Sequence, residues 1–263
     1  MSENSNKDKV KFEVVPFEWA LEELAKPTLQ EVGLDIKNGY VALKSIAKNA
    51  FKKNPNTGSV NKRVAIEVLR SGGFIETDIG VEYFGGILAQ AKTVDGMDDT
   101  GMYYTEVVKS LSSNQLRLHY VIYNSLQKMF LSGEEKYSHL NIGMETELQK
   151  HKIYFVPAEL EKTSGSHLDK NIFVLVQAGL LGPTFRIDSI REGEQIVKHY
   201  AEFTPTALGI QLYASAHGKI NDWRSFNKVD FGNFDEISLP TIYCTSKEEL
   251  PGIDFTIALL TQK

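Results

Sequence analysis

The sequence predicts a mainly α fold with a winged-helix-like α+β portion near residues 100–217. Three observations carry this reading. Apolar residues recur at helical spacing over most of residues 16–131, interrupted by breaker clusters such as Asn54-Pro55-Asn56-Thr57-Gly58-Ser59. Two segments, 184–187 and 199–203, alternate like strands on either side of the polar turn Glu192-Gly193-Glu194. Helical segments precede and follow that pair. Helix, strand, turn, strand, helix is the back half of a winged helix, and the helices at 114–131 and 168–181 can supply its front half.

Taken in order, residues 1–12 form a disordered polar tail. Pro27 divides the next stretch into helices over 16–26 and 28–52, since proline blocks the helix before it. A third helix over 60–71 stops at Gly72-Gly73. A fourth, over 77–92, is opened by Thr77 or Asp78. Residues 94–99 form a loop, and 100–110 a fifth helix. Ser112-Ser113-Asn114 caps the sixth, over 114–131. Its broad face carries Leu116, Tyr120, Tyr123, Leu126, Gln127 and Phe130, with Arg117, Asn124 and Lys128 off it. Residues 132–165 are mixed, with a short strand over 152–156 before Pro157. Ser166 and Asp169 start the helix at 168–181, which Gly179 and Pro183 end. Thr204 as N-cap and Pro205 at the first position then start a helix through Leu208 and Leu212 to Gly218. In the remainder, 237–243 and 254–260 read as strands or a final helix. The organisation is a helical N-terminal region over 13–98, a winged-helix-like region over 99–218 and an extension over 219–263.

Composition narrows the function classes. The chain has 263 residues, is 42% hydrophobic and 24% charged, and carries a net charge of −5. That excludes wholesale disorder and a uniformly basic nucleic-acid binder. The single cysteine, Cys244, excludes an internal disulfide and a cysteine zinc cluster, and its strand-like surroundings suggest burial. Residues 1–12 show no export signal, and the longest fully apolar run, 172–176, is five residues, against about 20 for a membrane helix. A cytoplasmic location follows as an expectation.

One charged surface stands out. No acid lies between Asp35 and Glu67, while Lys37, Lys44, Lys48 and Lys52 recur at steps of seven, four and four. On a helix they share one face. Tyr40, Leu43, Ala47, Ala50 and Phe51 cover the neighbouring face. The four lysines form a candidate anion-binding surface for nucleic acid, a nucleotide or an acidic lipid headgroup. Alternatively, they are a solvated face paired with the acidic helix before them. The winged-helix portion is poorly suited to DNA. Residues 172–176 are apolar, and five Lys/Arg balance five Asp/Glu across 162–218, whereas phosphate contact needs an excess of cations.

No catalytic or metal motif emerges. The six histidines fall in no H-x-x-x-H or H-E-x-x-H pattern. Asp95, Asp98 and Asp99 lack the alternate spacing of a calcium loop and read as turn residues. Ser164-Gly165-Ser166-His167 is not a nucleophile elbow. Gly85-Gly86 lacks the following Lys-Ser/Thr of a phosphate loop and reads as a site of close helix packing. No cofactor is implied.

Three segments together carry a family resemblance: 83–91 (YFGGILAQA), 103–112 (YYTEVVKSLS), and Gly179-Leu180-Leu181 followed by 203–209 (FTPTALG). In this order they resemble the abortive-infection alpha (Abi-alpha) family of prokaryotic phage-defence-associated proteins, over about residues 20–217. The chain departs from the pattern by the extra Ala207 between Pro205 and Leu208-Gly209, and residues 219–263 have no counterpart. The resemblance supplies no catalytic residues. It implies a non-enzymatic cytoplasmic interaction or sensor protein with a protein partner or anionic ligand. The alternative reading is a winged-helix transcription regulator that binds DNA.

Overall fold

The structure, a computed structural model, describes residues 36–56, 58–72, 77–133, 135–165, 167–235 and 237–252. The expected tail, the helix at 16–26, the start of the helix at 28–52 and the segment at 254–260 lie outside the described residues. Among the described residues the fold is mainly α, the class the sequence predicts, with a two-stranded and a four-stranded antiparallel sheet.

Helix α1 (Ile36–Lys53) buries Leu43, Ile46, Ala47 and Ala50 at helical spacing. Phe51 departs from expectation and faces solvent, 58% exposed. Asn54 ends the helix and donates its side-chain amide to the Ala89 carbonyl at 2.9 Å. The two-residue strands β1 (Ser59–Val60) and β2 (Lys92–Thr93) pair antiparallel and bracket α2 (Lys62–Gly72) and α3 (Asp78–Gln90). Helix α3 lies at the centre of this half and buries Ile79, Tyr83, Phe84, Ile87 and Leu88. Helix α4 (Gly101–Lys109) follows the aspartate loop, where Asp95 accepts from Thr93 and the Met97 amide, Asp98 from Thr100, and Asp99 pairs with Arg63. The aspartates there do turn chemistry.

Helix α5 (Ser113–Ser132) starts with a full capping box between Ser112 and Gln115. It is buried almost all round, so the expected polar side is corrected at Asn124, which is 1% exposed. Its side-chain amide donates to the Tyr120 and Tyr213 hydroxyls at 3.1 and 3.0 Å. Residues 132–165, mixed in the sequence, hold α6 (Glu135–Ser138), α7 (Glu145–Leu148), β3 (Ile153–Phe155) and α8 (Pro157–Ser164). Gly165 turns the chain with φ of 64° into α9 (Leu168–Gln177). Strands β4 (Arg186–Glu192) and β5 (Gln195–Phe203) form the hairpin. With α6 and α7 inserted after α5, the order α5, β3, α8, α9, β4, β5, with β5 between β4 and β3, is winged-helix-like. The expected front half lacked β3 and α8 as named parts.

Helix α10 (Ala207–Ala216) begins later than expected. Its N-cap is Thr206, whose hydroxyl accepts from the Gly209 amide at 3.0 Å and donates to the Gly179 carbonyl at 2.7 Å. The Tyr123 hydroxyl accepts the Thr206 amide at 3.0 Å. These bonds hold Thr206 extended, which leaves Pro205 outside the helix, bridged to Leu181. A 3-10 helix (Ile220–Ser225) and an irregular segment lead to β6 (Tyr243–Cys244), which pairs with β3. Residues 237–242 make no strand, and Cys244 is half-buried rather than buried. The main apolar core among the described residues runs from α1 through α10 to Tyr243, and a smaller separate cluster holds Tyr154, Tyr200 and Leu250. Among the described residues no helix is long and apolar enough to cross a membrane.

His119, on α5, sits at the junction of the two halves with no exposure. Its Nε2 lies 3.1 Å from the Gly209 carbonyl, which can only accept. Nδ1 is therefore left to accept from the Tyr83 hydroxyl at 2.5 Å. Burial lowers the His119 pKa to about 3, and burial, then nearby Lys53, holds His217 well below the usual value. The unfolded chain therefore takes up protons that the folded chain refuses. This contribution to stability is complete above the ordinary histidine value and falls as pH drops toward the folded one. At about pH 4 His119 alone removes about 3 kcal/mol. Thermal melts should show the midpoint falling steeply below about pH 6, with a shallower fall in His119→Gln. Equal slopes for the two proteins would contradict this account of His119.

Candidate functional site

Two surfaces carry the chemistry. The first is the helix that, in a DNA-reading helix-turn-helix, enters the major groove. Here that helix is α9. Leu168, Ile172 and Leu175 face inward. Asp169, Lys170, Phe173 and Gln177 face outward. Phe173 is 57% exposed and packs edge-to-face on Phe185, with ring centroids 5.1 Å apart. Ile187, at the start of the hairpin, is 44% exposed. The hairpin carries Arg186, Arg191 and Lys198 against exposed Asp188, Glu192 and Glu194. Its fourth acid, Glu202, is buried and paired with Lys152, and Lys198 donates to the Glu248 carbonyl at 2.5 Å. The face is therefore aromatic at its centre and charge-balanced around it.

Beside it, Val156, Pro157, Ala158, Glu161, Ile187 and Ser189 line a shallow cavity of about 350 Å³. There the Ser189 hydroxyl and His199 Nδ1 lie 2.8 Å apart, both residues outside the core. A nucleophile–base pair needs a third group to orient the base. Among the described hydrogen bonds none reaches His199 Nε2, so the pair reads as a cross-strand contact.

The second surface is α1. Lys44, Lys48 and Lys52 are exposed at steps of four along one face. The side chain of Lys37 lies outside the described residues. Lys52 pairs with Asp235 at 3.1 Å, an acid contributed by the extension and invisible in the local acid-free window. An ion pair this exposed contributes little stability. Replacing Lys44, Lys48 and Lys52 together by Gln should leave the melting temperature within a few degrees of the parent. A large loss would show that the face is structural.

Lys53 points the other way. Its ammonium donates to Glu82 Oε2 at 2.5 Å, the Glu82 carbonyl at 2.9 Å and the Ala216 carbonyl at 2.7 Å. It also lies 4.7 Å from the centre of the Phe234 ring. A cation at the C-terminal carbonyls of α10 is favourably placed against the helix dipole. Burial lowers its pKa to about 8 against the opposing pull of Glu82. Lys53 also falls in the acid-free basic window between Asp35 and Glu67. The stripe Leu43, Ile46, Ala50 continues to position 53 at helical spacing, a signal that could have identified it as inward-facing.

Among the described residues no group of three or more His, Cys, Asp and Glu side chains could hold a metal ion. The chain matches no protein-family model, no curated protein and no solved structure.

Proposed function

We propose that the protein is a non-enzymatic cytoplasmic interaction protein of the abortive-infection type, and that its winged helix contacts a protein partner. The observation that carries this reading is Phe173, which stands exposed at the middle of the helix that a DNA reader would load with Arg, Lys, Asn or Gln. An exposed aromatic braced edge-on by Phe185 is suited to be an interface anchor, because it is rigid and loses little entropy on binding. The abortive-infection part of the proposal rests on the resemblance at 83–91, 103–112, 179–181 and 203–209. The lysine face of α1 is the candidate surface for an anionic ligand. The second reading, a DNA-binding regulator, draws on the winged-helix order and on exposed Arg186 and Arg191.

The test is phage plating on a prokaryotic host that expresses the protein, compared with the same host expressing Phe173→Ser. Because Phe173 is largely exposed, that variant should fold with the parent's circular-dichroism spectrum and melting temperature. The reading expects reduced plaque formation with the parent and its loss with the variant. Equal protection by both proteins would overturn the role of Phe173. No protection against any of a broad phage panel would overturn the abortive-infection assignment.

A further inference from the structure

Among the described residues, the four-stranded sheet has one long open edge. In the order β4-β5-β3-β6, one margin is the two-residue β6 and the other is β4, seven residues long and exposed or half-buried throughout. An edge strand of this length presents a row of backbone groups able to pair with another strand, although the Ser189 amide donates to the Asp188 carboxylate at 2.8 Å, a local contact that pairing would displace. The hairpin contains a bulge, but the unpaired residue is Val197 on β5, since Ile190 faces Lys198 and Arg191 faces Ile196. Strand β4 itself runs unbroken.

We propose that β4 pairs antiparallel with β4 of a second copy of this chain, about a two-fold axis through Ser189. The argument is charge complementarity by register. Two identical edges meeting about a two-fold axis must place residues of the same parity opposite each other, so the axis passes through a residue. Of the registers that pair five or more residues of Arg-Ile-Asp-Ser-Ile-Arg-Glu, centring on Asp188 sets two aspartates face to face. Centring on Ile190 sets Asp188 against Glu192. Centring on Ser189 pairs all seven residues, opposes Arg186 to Glu192 at both ends, sets Ile187 against Arg191 and Asp188 against Ile190, and puts two small serines on the axis. No like charges are directly opposed in that register, and cross-strand pairs of opposite charge are favourable. The inference goes beyond the proposed function and does not depend on it, because Phe173 lies on α9 and not on the strand edge.

The experiment uses the full chain with Cys244→Ser, so that introduced cysteines are the only ones. In the proposed register, residue 189 of the two copies is separated by about 4.5–5.5 Å between Cα atoms, inside the disulfide range. Under mild oxidation at tens of micromolar, Ser189→Cys should form a covalent dimer far faster than Glu194→Cys at the exposed hairpin tip. Light scattering on the unaltered chain should give a dimer mass. Glu192→Arg, which sets two arginines opposite each other and whose own cross-hairpin neighbour is Gln195, should raise the dimer dissociation constant about tenfold or more. A monomer mass at these concentrations, or cross-linking at 189 no faster than at 194, would overturn the proposal. So would a dimer whose dissociation constant is unchanged by Glu192→Arg.

Discussion

Leu212→Asp should yield no cooperatively folded protein at the temperature where the parent is stable. Leu212 lies on α10 with no exposure and belongs to the core that joins α3, α5 and α10. An aspartate there would be either ionised without a partner or protonated and under-bonded, at a penalty of several kcal/mol. A domain of this size holds a total stability of about 5–15 kcal/mol. Loss of the leucine's packing adds about 2–5 kcal/mol. The measurement is circular dichroism with thermal and urea melts. A sigmoidal transition at the parent midpoint would show that α10 does not pack as described.

Gly86→Ala should be strongly destabilising, and more so than Gly85→Ala. A Cβ added to Gly86 would sit 2.1 Å from the Ala216 carbonyl oxygen and 2.3 Å from that of Ser215. Both are backbone atoms at the end of α10, so relief requires moving one helix away from the other. That movement would also pull the Ala216 carbonyl from Lys53. A Cβ on Gly85 would meet the Asn49 side chain, including its Cβ at 2.9 Å, and Asn49 is held to Glu82 at 2.8 Å, so relief there needs a shift of Asn49 but not of two backbone carbonyls. Overpacking destabilises by about 1–3 kcal/mol and occasionally more, and the double carbonyl clash puts Gly86→Ala at the upper end. Urea midpoints of the two variants decide this, and equal losses would contradict the close crossing of α3 and α10.

Much of the helical frame is legible because it rests on local rules. The capping residues at Ser112, the breaker at Asn54-Pro55 and the turn at Gly193 all act within a few residues of themselves. The Gly85-Gly86 pair signals close helix packing in the sequence, and the crossing of α3 and α10 accounts for Gly86. What escaped the sequence is what depends on distant partners. Asn124 looked solvent-facing because its acceptors, Tyr120 and Tyr213, include one from another helix. Thr204 and Pro205 made a plausible helix start, but Tyr123, 83 residues away, fixes the cap at Thr206. Strand β3 is legible as the short strand before Pro157, but its place in the sheet beside β5 is not, and the short helix α8 gives no periodic signal of its own. The candidate surfaces divide in the same way. The lysine spacing on α1 is visible in the sequence, whereas the pairing of Lys52 with Asp235 spans 183 residues. The apolar character of residues 172–176 is plain, but which of them faces outward depends on the packing of α9.

The central proposal is that any anion the protein binds is contacted mainly by the lysine face of α1 and not by the winged-helix-like portion. Fluorescence titration of duplex DNA and of heparin tests it directly, with the parent and the Lys44→Gln, Lys48→Gln, Lys52→Gln triple variant, between about 50 and 200 mM salt. The account predicts weak, sequence-independent binding by the parent that falls with salt and is largely lost in the triple variant. Tight, sequence-selective DNA binding that survives the three substitutions and is lost on changing Arg186 or Arg191 would contradict it.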